Sequence, residues 1–98
     1  MNLKIDHIGY VVKNLKESKL YFEKNYKFKP LTNIIYEKAH GVKLIFLDMG
    51  NNSVPALELI QPVSKKSKVY NFLSSKGENY HHIAYEVNNI DKSLKEFK

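Results

Sequence analysis

Two histidines and one glutamate hold the chemistry this chain can perform. His7 stands in Asp6-His7-Ile8-Gly9-Tyr10-Val11-Val12, and His82 in His81-His82-Ile83-Ala84-Tyr85-Glu86-Val87. Glu58 sits in the middle of Ala56-Leu57-Glu58-Leu59-Ile60. All three segments are short, apolar and free of helix periodicity, so they read as strands. Side chains alternate along a strand, which puts His7 on one face with Ile5, Gly9 and Val11, away from Asp6, Ile8 and Tyr10. The same rule puts His82 with Tyr80, Ala84 and Glu86, and sets Glu58 opposite Leu57 and Leu59. A carboxylate flanked by aliphatic residues is costly to bury unless it is paired or metal-bound. Two neutral imidazoles and one carboxylate suit a divalent metal ion such as Zn, Ni, Co or Mn. Each histidine is followed two residues later by a small residue, Gly9 or Ala84, which leaves space beside the ring.

Taken singly, each position has a plainer reading. A strand histidine is commonly a satisfied core or surface group, and Glu58 could lie on an exposed sheet face. What groups the three is an internal echo. Residues 6–15 reappear as 81–90 without a gap, and the match runs on into the following segment. Identical pairs are His7/His82, Ile8/Ile83, Tyr10/Tyr85, Val12/Val87, Asn14/Asn89, Ser18/Ser93 and Phe22/Phe97. Such self-similarity marks a duplicated structural unit. His40, in a loop beside Gly41, has no mate in the echo. His81 falls on the opposite parity from His82. Both are expected to be structural or substrate-edge residues.

The elements that must position these groups follow from the pattern. A strand over Ile5 to Val12 leads to Asn14 as a helix cap, with Glu17 three residues on. Leu15, Phe22 and Tyr26 line one face of that helix. A strand ragged at Pro30 is expected within 28–37, then strands over Val42 to Asp48 and Ala56 to Gln61, stopped by Pro62. Ser67 caps a short helix through Val69, Phe72 and Leu73 that ends near Gly77. The second copy supplies a strand over Tyr80 to Val87 and a helix after Asn89, with Ile90, Leu94 and Phe97 at helical spacing. The fold class is therefore α+β: a βαβββ module, then the first strand and helix of a second module that is incomplete at residue 98. The chain reads as one domain over residues 1–98.

Composition narrows the function. The sequence has 98 residues, 43% hydrophobic and 27% charged, as an ordinary globular domain does. Cysteine is absent, which excludes a disulfide scaffold, a thiolate metal site and a cysteine nucleophile. Sixteen basic against ten acidic side chains give a net charge of +6. The lysines are scattered and arginine is missing, which argues against nucleic acid and fits a phosphate-bearing small molecule better. No apolar run approaches the roughly 18 residues of a membrane span. The opening Met1-Asn2-Leu3-Lys4-Ile5 lacks the apolar core of a secretory signal, so the expected location is the cytoplasm.

The Asp-His-Ile-Gly opening, the Leu-Glu-Leu-Ile-Gln-Pro strand at 57–62 and the His-His-Ile-Ala-Tyr-Glu-Val segment at 81–87 together resemble the vicinal oxygen chelate superfamily. Within it, the pattern is most similar to methylmalonyl-CoA epimerase and glyoxalase I-like proteins. The resemblance implies two βαβββ modules curled around one divalent metal ion. It implies that His7, Glu58 and His82 are metal ligands, and that a small molecule, including an acyl-CoA, is the substrate. The family's fourth ligand is a glutamate late in the second module, and it has no counterpart before Lys98. A base proposed on the third strand also has none, since Val42-Lys43-Leu44-Ile45-Phe46 holds no carboxylate. Glu58 is then the one carboxylate in place to be a catalytic base, a role that competes with ligation. The implied activity is metal-dependent isomerisation of the epimerase type. The alternatives are a lactoylglutathione lyase of the glyoxalase I type and a small-molecule binding or resistance protein without turnover. Lys65, Lys66 and Lys68 could meet CoA phosphates, or could be a solvated lysine run. The resemblance also implies a homodimer, including one formed by strand exchange.

Overall fold

In the structure, a computed structural model, residues 3–50 and 55–87 are described. The chain folds as β1 (Leu3–Val11), α1 (Leu15–Tyr26), β2 (Lys29–Pro30), β3 (Ile35–Glu37), β4 (Val42–Asp48), β5 (Ala56–Pro62), α2 (Lys68–Lys76) and β6 (Asn79–Val87). The strands form one sheet in the order β2-β4-β5-β1-β6, with β3 also paired to β4. The expected strand within 28–37 is thus two short pieces on the same edge. Both pair antiparallel to β4, as Lys29 with Asp48 and Ile35 with Leu44. Pro30, which has no amide hydrogen to give to a ladder, sits in the first piece. The helix expected after Asn89 lies outside the described residues.

The most apolar stretches take the middle of the sheet. In β5, Leu57, Leu59 and Ile60 are buried, and in β4 so are Val42, Ile45 and Leu47. Leu47, Leu57 and Leu59 join Val12, Leu15 and Ile45 in one cluster, with Phe22 and Phe28 packed at its rim. This is the face that α1 covers. Each such leucine removed from water contributes about 1.5–3 kcal/mol. The opposite parity forms a second cluster of Val11, Val42, Ile60 and Val69, against which Phe72 and Leu73 of α2 pack. The two helices therefore lie on opposite faces. Because Ile60 shares its parity with Glu58, α2 walls one end of the face on which the glutamate stands.

Both helices start where the sequence places a cap. The Asn14 side chain accepts a hydrogen bond from the Glu17 amide at 3.0 Å, and the Leu15 amide donates to Gln61 Oε1 at 2.8 Å. The second bond ties the start of α1 to the end of β5. Ser67 Oγ accepts from the Val69 amide at 3.2 Å. Helix α2 ends at Gly77, whose φ of 72° favours a residue with no Cβ. Glu78, next along, accepts the Lys13 amide at 2.8 Å and so links the start of β6 to the end of β1.

The junction of β1 with β6 carries the internal echo into three dimensions. The pair is antiparallel, with Ile8 opposite Ile83, His7 opposite Ala84 and Gly9 opposite His82. Shifting each residue by the 75-residue offset of the echo maps this register onto itself about the Ile8–Ile83 pair. The register slips twice. Asp6 has no partner between the pairs Ile5/Tyr85 and His7/Ala84, and His81 has none between Gly9/His82 and Tyr10/Tyr80. Those two residues are equivalent under the same offset. Each is the extra residue of a β-bulge, which bends its strand and re-aims the side chain.

Candidate metal centre

Three neighbouring strands deliver the three side chains singled out by the sequence. Parallel pairing of β1 with β5 sets His7 beside Ala56 and Gly9 beside Glu58. Antiparallel pairing of β1 with β6 sets His82 across from Gly9. All three residues point to the same side. His82 Nε2 lies 3.3 Å from His7 Nε2 and 3.1 Å from Glu58 Oε1, and His7 Nε2 lies 3.4 Å from the same oxygen. The donor atoms thus mark a nearly equilateral triangle. Glu58 is 7% exposed and His7 is partly buried. Within the described residues, the ion-pair partners of Glu58 are these two imidazoles.

The triangle fits a cation. At the metal–donor distances of about 2.0–2.2 Å usual for imidazole and carboxylate, its edges correspond to angles at the ion of about 90–115°. That is one face of a tetrahedral or octahedral shell. Three lone-pair-bearing atoms aimed at one point repel unless a cation or shared protons hold them. Among the described residues, these three form the group able to hold a metal ion.

The space beside the rings is used differently from the expectation. A Cβ built on Gly9 would stand 2.4 Å from His82 Cε1 and 2.6 Å from its Nδ1. What occupies the room over Gly9 is the His82 ring itself, reaching across the ladder. His7 leans the other way, edge-on to Phe46 of β4 with ring centroids 5.3 Å apart.

Strict alternation also misplaced two neighbours. Asp6, assigned to the face opposite His7, brings Oδ2 to 2.8 Å from His7 Nδ1. His81, assigned to the parity opposite His82, brings Nδ1 to 2.8 Å from His82 Nδ1 and packs edge-on against Phe72, centroids 4.9 Å apart. The bulges are the reason, since each turns its extra residue toward the side of the residue that follows. Burial holds the His81 imidazole below the ordinary histidine pKa, and proximity to His82 adds to this, while Glu58 pulls the other way. The sequence signal for both was a polar residue directly before each histidine of the echo.

The remaining candidates lie elsewhere. His40 is exposed in the turn between β3 and β4 and pairs with Glu37. Lys66 and Lys68 line a cavity of about 420 Å³ with Lys38, Ser64 and His40, above Gly41. Lys65 is exposed. Among the described residues, no helix is long and apolar enough to cross a membrane.

Several known proteins are similar to this chain. Human mitochondrial methylmalonyl-CoA epimerase is 27% identical over 96 residues, covering 97% of this chain and 52% of that one. The chain spans about half the length of the curated epimerases it matches. A hypothetical protein of Bacillus halodurans superposes with a TM-score of 0.85 at 32% identity, over 98% of this chain and 67% of that one. A variant of Streptomyces coelicolor methylmalonyl-CoA epimerase, in complex with 2-nitronate-propionyl-CoA, superposes with a TM-score of 0.83 at 26% identity, over 95% of this chain and 68% of that one. The model of the Glyoxalase/Bleomycin resistance protein/Dioxygenase superfamily matches residues 6–98, and the chain belongs to that superfamily.

Proposed function

We propose that the chain provides the metal centre of a divalent-metal-dependent isomerase that moves the proton on the carbon next to a thioester, with methylmalonyl-CoA or a related acyl-CoA as substrate. The observation that carries this reading is the convergence of His7 Nε2, His82 Nε2 and Glu58 Oε1 within 3.1–3.4 Å. Its support is the structural likeness to an epimerase complexed with an acyl-CoA analogue. His7, Glu58 and His82 hold the ion. Once bound, the ion supplies Lewis acidity toward the substrate oxygens beside the reacting carbon. The chain's own contribution is to fix three donors on adjacent strands and to wall one end of the site with α2. The cavity lined by Lys38, Lys66 and Lys68 offers positive charge for the phosphates of the same substrate. A homodimer is the assembly in which we expect the protein to act.

Glu58 can hold an ion or accept a substrate proton, and both uses draw on the same oxygens. Glu58→Gln separates them, because the amide oxygen still ligates but is a poor base. The direct test follows wash-in of solvent deuterium at the α-carbon of methylmalonyl-CoA, with Co²⁺ or Zn²⁺ added and then removed by chelator. Metal-dependent exchange that survives in Glu58→Gln assigns a ligand role, and exchange lost while metal is retained assigns the base. Turnover of the methylglyoxal–glutathione adduct in place of exchange would establish the lyase instead. Metal binding with neither reaction would mark a binding protein.

A further inference from the structure

We infer that Asp6 and His81 are positioning residues that lock the two imidazoles, and that the paired bulges of β1 and β6 exist to deliver them. The inference rests on the reading above, in which His7 and His82 hold a divalent ion through Nε2. An imidazole ligates only through a nitrogen that carries no proton, so the other nitrogen must keep its hydrogen and find an acceptor for it. Asp6 Oδ2, 2.8 Å from His7 Nδ1, is such an acceptor. His81 Nδ1, 2.8 Å from His82 Nδ1, is the other, provided that His81 keeps its own proton on Nε2. In both halves the group that touches Nδ1 is the residue just before the ligand, and in both it is the residue left unpaired in the ladder.

A regular strand could not make these contacts, because consecutive side chains leave on opposite faces. One extra residue per strand, at positions equivalent under the 75-residue offset, brings carboxylate and imidazole to the same side as the ring each one holds. The two supports differ in kind. Asp6 offers a carboxylate acceptor. His81 offers a neutral one and is itself braced by Phe72 of α2, which connects the end wall of the site to the ring of His82.

The test measures Co²⁺ affinity by visible absorption and chelator competition, and ring tautomers by ¹⁵N NMR of the metal-free protein. Asp6→Ala and His81→Ala are each expected to weaken Co²⁺ binding by about 10–100-fold, the usual cost of removing an outer partner of a metal-ligating histidine. Asp6→Ala should also move part of the His7 proton from Nδ1 to Nε2. Asp6→Asn keeps an oxygen acceptor and should restore most of the affinity and the tautomer. Unchanged affinity and unchanged tautomers in Asp6→Ala and His81→Ala, beside complete loss of binding in His7→Ala, would overturn the positioning roles and leave the metal centre standing. Co²⁺ binding that persists in His7→Ala would instead remove the metal centre, and the tautomer shift in Asp6→Ala would then decide the positioning role by itself. Circular dichroism confirms that each variant is folded.

Discussion

The two halves of the β1–β6 junction are copies that came to hold their histidines in different ways. On the β1 side, His7 rests edge-on against Phe46 and against the carboxylate of Asp6, opposite Ala84. On the β6 side, His82 lies flat over Gly9 and is held by His81, which leans on Phe72. The difference shows that a two-fold pattern of ligands does not need two-fold packing. It needs only that each ring be fixed from behind, by whatever neighbour the local sheet supplies. The β1 half draws on strand β4, whereas the β6 half draws on a glycine gap and on helix α2.

The comparison breaks most completely if either ring is removed. His7→Ala and His82→Ala should each lose Co²⁺ binding by more than the roughly 10–100-fold cost of losing an outer partner, read by chelator competition. Thermal unfolding should change by less than about 1 kcal/mol, since both side chains line an open site and not the core. His40→Ala should leave metal binding as it is. Equal losses in all three variants would show that the effect is not local to the site.

Next in size is the contrast between the two small residues. Gly9→Ala puts a methyl where the His82 ring lies, so the ring must swing out, and metal affinity should fall by at least about tenfold. Ala84→Gly, at the equivalent place, removes a methyl that His7 already tolerates. It should keep metal affinity and lose only about 0.5–1 kcal/mol of stability, the cost of glycine in a strand. Equal losses of affinity in the two variants would mean that the rings are held alike after all.

The smallest effect distinguishes the two aromatic braces. Each edge-on ring contact contributes about 0.5–1.5 kcal/mol. Phe46→Leu touches a ligand directly and should weaken metal binding severalfold. Phe72→Leu acts through His81 and should weaken it less. Isothermal titration with Zn²⁺ orders the two, and the reverse order would place the stronger support on the α2 side.

Much of this was legible before any fold was seen. The strand at 42–48, the strand begun at Ala56, the caps at Asn14 and Ser67 and the stop at Gly77 all follow from local pattern, although the strand expected to stop before Pro62 runs through it, with Pro62 paired to Val42. Those features depend on neighbours within a few residues, and the echo at 7 and 82 matched the two histidines to each other. The broken edge strand at 29–37 was only half legible, because Pro30 signals an interruption without saying where pairing resumes.

What the amino-acid order determined by itself is the side of its own strand on which each of His7, Glu58 and His82 stands, for alternation along a strand is a property of that strand alone. What only the tertiary structure decided is how those groups are held. The bulges at Asp6 and His81 arise from the register between two strands far apart in the chain. The placing of α2 on the site's face, and of the His82 ring over Gly9, likewise depends on pairing and packing between distant segments, which no local period encodes.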